Sequence, residues 1–266
     1  MPSSRPLAAV TGASSGIGLE LARQFARNGH DVLLVSRGNG LDDAAEAIRA
    51  LGADVQTLAV DLSAADGADQ ALSFFRSQGR PLAAVALNAG VGLGGAFVGG
   101  TALEDELALI QLNIVAAVRL TKGILADMVA SGSGRLLFTS SISATAPIPF
   151  EAVYGASKAF INSFAFALRN EIKDSGVTIT VLMPGPTETN FFHRAGEDDT
   201  QVGAGAKNDA AQVAAQGYAA LMQGLEHVYG GGPEVQHEGE VLNRIESEDQ
   251  KAQRHRDWSE PGSAEH

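Results

Sequence analysis

The sequence predicts a doubly wound α/β fold, with helices on both faces of a central, mostly parallel sheet of six to seven strands. Three observations predict it. Short apolar runs alternate with longer stretches of helical periodicity, the pattern of βα units stacked into a parallel sheet. The first apolar run, Leu7 to Val10, opens directly into a glycine-rich turn and then a helix. Later runs end in short polar segments such as Asn88-Ala89-Gly90, and open α/β sheets bind ligands beyond such strand ends.

Taken in order, Leu7 to Val10 is the first strand. Thr11-Gly12-Ala13-Ser14-Ser15-Gly16-Ile17-Gly18 follows, and Ile17, Leu21, Phe25 and Ala26 then recur at helical spacing as far as the stop Asn28-Gly29. Glycines let backbone N–H groups approach a phosphate closely, and a helix N-terminus favours its negative charge. The order strand, glycine turn, helix is therefore that of a dinucleotide site, although the spacing G-x-x-x-G-x-G differs from the usual G-x-G-x-x-G. Asp31 to Val35 is the second strand. Where an NAD-binding chain places a carboxylate for the ribose hydroxyls, this chain has Ser36-Arg37. A carboxylate repels a 2′-phosphate and an arginine fork grips one, so NADP(H) is preferred over NAD(H).

Leu41 to Leu51 reads as a helix and Val55 to Val60 as a strand, followed by Asp61-Leu62, with Asp61 placed to meet the adenine. Ala64 to Gln78 is a helix and Leu82 to Leu87 a strand. Gly92 to Gly100 is a glycine-rich loop. Leu103 to Ala130 is a long helical pattern whose Asn113, set among apolar neighbours, needs polar partners. Arg135 to Thr139 is a strand running into Ser140-Ser141. The helix that starts near Tyr154 has apolar residues on two faces, one for the sheet and one for a second subunit. Val177 to Met183 is a strand leading to Pro184-Gly185-Pro186-Thr187-Glu188-Thr189. Residues 190–208 read as a mobile cover and Val213 to Leu225 as a helix. Glu226 to Val228 makes at most a short strand. The domain reading is one catalytic domain over 1–243 and a polar, disordered tail over 244–266.

The 266 residues suit one globular domain with a sizeable core. A net charge of −12 argues against nucleic acid and anionic membrane surfaces as partners. The chain has no cysteine, which excludes disulfides and thiolate chemistry, and its six histidines show no paired ligand spacing. No metal site is expected. No apolar run approaches the length of a membrane span, and Leu7 to Val10 is too short for a signal-peptide core. The expectation is a soluble, cytoplasmic protein.

Tyr154 and Lys158 lie four residues apart, on one face of a helix. A phenol titrates near pH ~10, and a neighbouring ammonium lowers that value toward the range of a useful proton donor or acceptor. The pair alone is a weak signal. It gains weight from the motifs that surround it.

With the turn Thr11 to Gly18, Asn88-Ala89-Gly90, Asn113, Ser141, Tyr154, Lys158 and Pro184-Gly185 in view, residues 5–225 resemble the short-chain dehydrogenase/reductase family, of the compact single-domain kind with a Rossmann-type core. The resemblance implies a catalytic tetrad of Asn113, Ser141, Tyr154 and Lys158. Tyr154 would exchange the proton, Ser141 orient the substrate oxygen, and Lys158 tune the phenol and bind the nicotinamide ribose. Asn113 would hold a relay water. Cofactor contacts are implied for Gly12, Ser14, Ser15, Gly16, Ile17, Gly18, Arg37, Asp61, Leu62, Asn88, Ala89, Gly90, Pro184, Gly185, Thr187 and Thr189, besides Tyr154 and Lys158. The implied activity is hydride transfer between NADP(H) and a small carbonyl or secondary-alcohol substrate, in a homodimer or homotetramer. The competing reading is a protein that binds NADP(H) as a sensor or scaffold without turnover. The poor strand at Glu226 to Pro233 and the charged tail depart from the family pattern.

Overall fold

The structure is a computed structural model. It describes residues 5–38 and 40–265; the reading of the chain start over Met1 to Ser4 lies outside them. Seven strands form one all-parallel sheet in the order β3-β2-β1-β4-β5-β6-β7, the doubly wound arrangement the sequence predicts. β1 (Leu7–Thr11) pairs with β2 (Asp31–Ser36) on one side and β4 (Leu82–Leu87) on the other. The order reverses there, and the strand ends open a crevice between β1 and β4. β1 and β2 are buried nearly throughout, as strands covered on both faces must be. This is why they read as continuous rather than alternating apolar runs.

Two helical layers cover the sheet. On one face α1 (Gly16–Arg27), α2 (Leu41–Arg49) and α9 (Ala210–Gln223) bury Leu21, Phe25, Ile48, Val213 and Leu221 against Val10, Val32 and Leu34. On the other, α3 (Gly67–Ser77), α5 (Ala117–Ser131) and α6 (Ala152–Glu171) bury Phe75, Leu120, Ile124 and Ile161 against Val85, Leu136 and Phe138. Burying a side chain of this size is worth about 1.5–3 kcal/mol. The edges are β3 (Val55–Ala59) and β7 (His227–Gly230).

Three features differ from the sequence reading. The doubtful strand after residue 226 does form: β7 pairs in parallel with β6 (Val177–Pro184), from Val181↔His227 to Pro184↔Gly230. Pairing supplies what its short apolar run lacks. Leu103–Ser131 is a single helical stretch of 29 residues, long and apolar enough by length and composition to cross a membrane. It comprises α4 (Leu103–Ile110), a π-helical turn at Gln111–Ala116 and α5, and its Leu109, Leu120, Ile124 and Met128 are buried in the core.

The third difference is the tail. Instead of being disordered, residues 244–265 continue as helix from α10 (Pro233–His237) through a π turn, α11 (Asn243–Ile245) and α12 (Glu248–Ser259). Ser247 caps α12 with a reciprocal capping box to Gln250. Arg254 bonds Glu238, Glu246 and Asn243, and Asn243 in turn donates to Thr145 Oγ1 at 2.7 Å. Gly262 N and Ala264 N donate to Asp199. The tail is therefore ordered by ion pairs and hydrogen bonds, which a search for apolar periodicity does not see. The stretch 190–208 expected as a cover contains two short helices, α7 (Phe191–Ala195) and α8 (Gln201–Ala204), and the tail docks on it.

Candidate active site

The first turn beyond β1 is held by packing that only glycine permits. A Cβ on Gly18 would lie 2.2 Å from the Gly12 carbonyl oxygen, and Gly12 itself has a φ of +66°. Thr11 Oγ1 accepts from the backbone N–H of Asn88 and of Ala89, both at 3.0 Å, while Asn88 Nδ2 donates to the Thr11 carbonyl at 3.2 Å. These bonds lock the ends of β1 and β4 together. Gly16 starts α1, so its first free N–H groups face the crevice. Ser14 is bonded to Ser36 through their hydroxyls at 2.9 Å, which sets Arg37 at the rim, exposed to solvent. Asp61 is held below the usual carboxylate range, chiefly by hydrogen bonds from Ser63, with help from the Arg37 charge.

All of the predicted residues except Gly18 and Asn113 line one cavity of about 470 Å3. Gly18 packs behind the turn. Asn113 is buried in the π turn, where its Nδ2 donates to the Val91 carbonyl at 2.9 Å and to Ser157 Oγ at 3.1 Å, and its Oδ1 accepts from Val91 N at 3.0 Å. π turns inside α-helices recur at functional sites. Gly90 lets this group approach: a Cβ there would lie 3.2 Å from Asn113 Oδ1 and 3.3 Å from Lys158 Nζ.

Ser141, Tyr154 and Lys158 come together from two elements. Ser141 follows β5 (Gly134–Thr139), and its Oγ accepts from Ser143 N at 3.1 Å. Tyr154 and Lys158 lie in the first turns of α6, both buried, with Lys158 Nζ 5.7 Å from the centre of the Tyr154 ring. Lys158 Nζ donates to the Thr139 carbonyl at 3.1 Å. The electrostatics differ from the expectation of a phenol pulled down by its lysine. Burial pushes Tyr154 up; the Ser141 hydrogen bond works in the opposite direction, and the charges of Glu151 and Glu197 raise it further. Burial also lowers Lys158 to about 8. Desolvation disfavours the charged form of each group, and here it outweighs the ammonium.

Several wall residues carry no individual signal in the sequence. Glu151 lies three residues before Tyr154. It follows Phe150, whose φ of +63° is the one left-handed non-glycine backbone among the described residues. A strained residue of this kind costs on the order of 1–3 kcal/mol and persists only where its surroundings enforce it. The Phe150 carbonyl is held by Gly95 N at 2.8 Å, and Arg256 covers its ring at 4.9 Å. Phe191 packs on Tyr154 with ring centres 5.4 Å apart, and Arg194 reaches Ser15 Oγ at 3.3 Å across the glycine turn. Glu238, His255, Trp258 and Ser259 of the C-terminal segment complete the wall. No local pattern marks these residues, which reach the cavity only through folding of the tail.

The glycine cradle, the free N–H groups of α1 and the cation at the rim suit a dinucleotide: the turn packs so closely on itself and on Asn88 and Ala89 that a Cβ has no room, and a helix N-terminus favours a phosphate. Fold and site together define a nucleotide-dependent α/β oxidoreductase. Comparison with known proteins agrees. The family model "short chain dehydrogenase" matches residues 6–200, and the chain belongs to that family. It is 32% identical over 189 residues to an uncharacterized short-chain type dehydrogenase/reductase of Sinorhizobium fredii, covering 71% of this chain and 73% of that one. A short-chain dehydrogenase from Sphingobium yanoikuyae in complex with NADPH superposes with a TM-score of 0.77 at 30% identity, over 84% of this chain and 87% of that one. A short chain dehydrogenase/reductase from Burkholderia phymatum in complex with NAD shares the fold, with a TM-score of 0.80 at 20% identity over 92% and 94% of the two chains. A nicotinamide cofactor and a small-molecule substrate follow from family membership.

Proposed function

We propose that this protein is an NADP(H)-dependent oxidoreductase that interconverts a ketone and a secondary alcohol, with Tyr154 as the proton-transferring group. The observation that carries the reading is the convergence of Ser141, Tyr154 and Lys158 on the cavity whose other half is the glycine turn. The nicotinamide, when bound, supplies or takes the hydride. Gly12 to Ile17, Asn88 to Gly90, Pro184, Gly185, Thr187 and Thr189 would hold the cofactor, with Arg37 at the 2′-phosphate and Asp61 and Leu62 at the adenine.

Ser141 Oγ orients the substrate oxygen beside the Tyr154 hydroxyl. Because burial and the nearby carboxyls keep the phenol protonated, Tyr154 suits donation of a proton to an oxygen that is becoming an alkoxide, which favours the reductive direction. Burial lowers Lys158 to about 8, so it can return a proton to the phenol side. The Asn113 NH2 is spent on Val91 and Ser157. A relay water would therefore rest on an acceptor of that residue, and the side chain itself acts as a brace. The exposed Leu103 and Leu107 of α4 and Phe160 of α6 support self-association through these helices.

The test is loss of NADPH absorbance with a panel of ketones, repeated with Tyr154→Phe. Removing a general acid lowers turnover by at least ~100-fold. Unchanged turnover in the variant removes Tyr154 from this role.

A further inference from the structure

The substrate half of the cavity contains an acidic pair that the proposed chemistry does not use. Glu151 is 6% exposed and lines the cavity, and Glu197, 1% exposed, stands behind it. Ser259 Oγ donates to Glu151 Oε1 at 3.1 Å. Each carboxyl acts on the other's protonation. Neither side-chain oxygen of Glu197 has a hydrogen-bond partner. The fold makes room for the pair, since a Cβ on Gly94 would lie 2.4 Å from Glu197 Cγ.

Among the described residues no cation pairs with either carboxyl. Lys158 donates to Thr139, Arg194 turns to Ser15 and Arg256 bonds Glu260. Glu238, the other acid on this wall, is already matched by Arg254 and His255. Burial pushes Glu151 up to about 7 and Glu197 to about 9, so at neutral pH at least one proton stays on the two groups. Glu151 caps the helix that carries Tyr154 and lines the same cavity, and both carboxyls raise the phenol. Beside the matched Glu238 and His255, the wall carries the apolar Ile142, Ile148, Phe192 and Trp258. An aliphatic substrate would leave the carboxyl facing hydrocarbon. An ammonium offers both the donors and the charge that it lacks.

We propose that Glu151, backed by Glu197, is the recognition site for a protonated amine, so that the substrate is an alcohol or ketone carrying an ammonium group near the reacting carbon. The proposal rests on the reading of this cavity as the substrate site. As the amine docks, the carboxyl pair releases a proton to solvent and Glu151 becomes the counter-ion. Ser259 keeps its hydrogen bond and holds the acceptor in place.

The experiment compares 1-amino-2-propanol with 2-butanol, which replaces the ammonium by a methyl group. Binding to the full-length protein loaded with NADP+ is measured by titration calorimetry in two buffers of different ionisation enthalpy. Oxidation of both alcohols is followed in parallel. The expected result is at least about tenfold tighter binding of the amine, the scale of one charge-assisted contact, with proton release. Glu151→Gln should bring the amine to the level of 2-butanol while leaving 2-butanol within about threefold. Glu197→Gln removes the second acid and leaves Glu151 in place, so it should retain the preference and release fewer protons. Equal binding of the two alcohols, binding of neither, or parallel loss of both in Glu151→Gln overturns the proposal. Turnover of 2-butanol without amine preference removes this inference and keeps the oxidoreductase. Amine-selective binding without turnover does the reverse.

Discussion

Replacing Gly18 by alanine tests whether the turn beyond β1 is built for close backbone approach. The φ of Gly18 is not left-handed, so its backbone accepts alanine and only the new methyl matters. That carbon would stand 2.2 Å from the Gly12 oxygen and 2.5 Å from Asn88 Nδ2, against a floor of 3.0 Å for real contacts. The turn must move by the difference of 3.0 and 2.2, which is 0.8 Å. It cannot move freely, because Gly12 abuts Ala89 and Asn88 is bonded to Thr11. Overpacking of this kind costs about 1–3 kcal/mol. Where the strain falls on the bound state, the dissociation constant of NADPH rises by about 5- to 150-fold. Where it falls on the fold, the melting temperature drops by about 2–4 °C per kcal/mol. Fluorescence titration with NADPH and calorimetric melting of the same sample measure both. Affinity within twofold together with an unchanged melting temperature would refute the reasoning, since the methyl would then meet no obstacle.

Arg37→Ala should weaken NADPH by about tenfold or more, the range of a hydrogen bond to a charged group, and NADH by much less; equal losses would reassign Arg37. Ser141→Ala should lower kcat on a ketone by at least about tenfold while leaving NADPH affinity intact, because it removes one oriented contact to the reacting oxygen; steady-state kinetics and titration separate the two. Stability should fall as pH rises from 6 to 8. Glu151 and Glu197 have folded values of about 7 and 9, above the ordinary 4.5, so the folded chain binds more protons in this window and loses that advantage on deprotonation. The melting temperature of the Glu151→Gln, Glu197→Gln double variant should be flatter over the same range. Lys158, lowered to about 8 from 10.5, acts with the opposite sign, adding stability as pH rises from 8 toward 10.5.

The glycine turn, the strand ends and the i, i+4 pair Tyr154 and Lys158 were legible because their information is local. A φ above zero, a helix face and a strand end each depend on a few adjacent residues. The parallel sheet was legible for a related reason: strands buried on both faces must be apolar throughout. The environment of those residues was not. Spacing brings Lys158 beside Tyr154, but whether ammonium or desolvation governs the phenol depends on segments far away in the chain, including Glu197.

The tail shows the same limit from the other side. Residues 244–265 look like solvated coil because their order comes from Arg254, Asn243 and Asp199 finding partners across the molecule. Taken alone, the sequence determined the fold, the cofactor turn and which side chains carry the proposed proton transfer, since these follow from periodicity and backbone freedom. Only the tertiary structure decided that Glu151 and Glu197 are both buried and that Ser259 bonds Glu151, because burial of a charge is a property of everything packed around it.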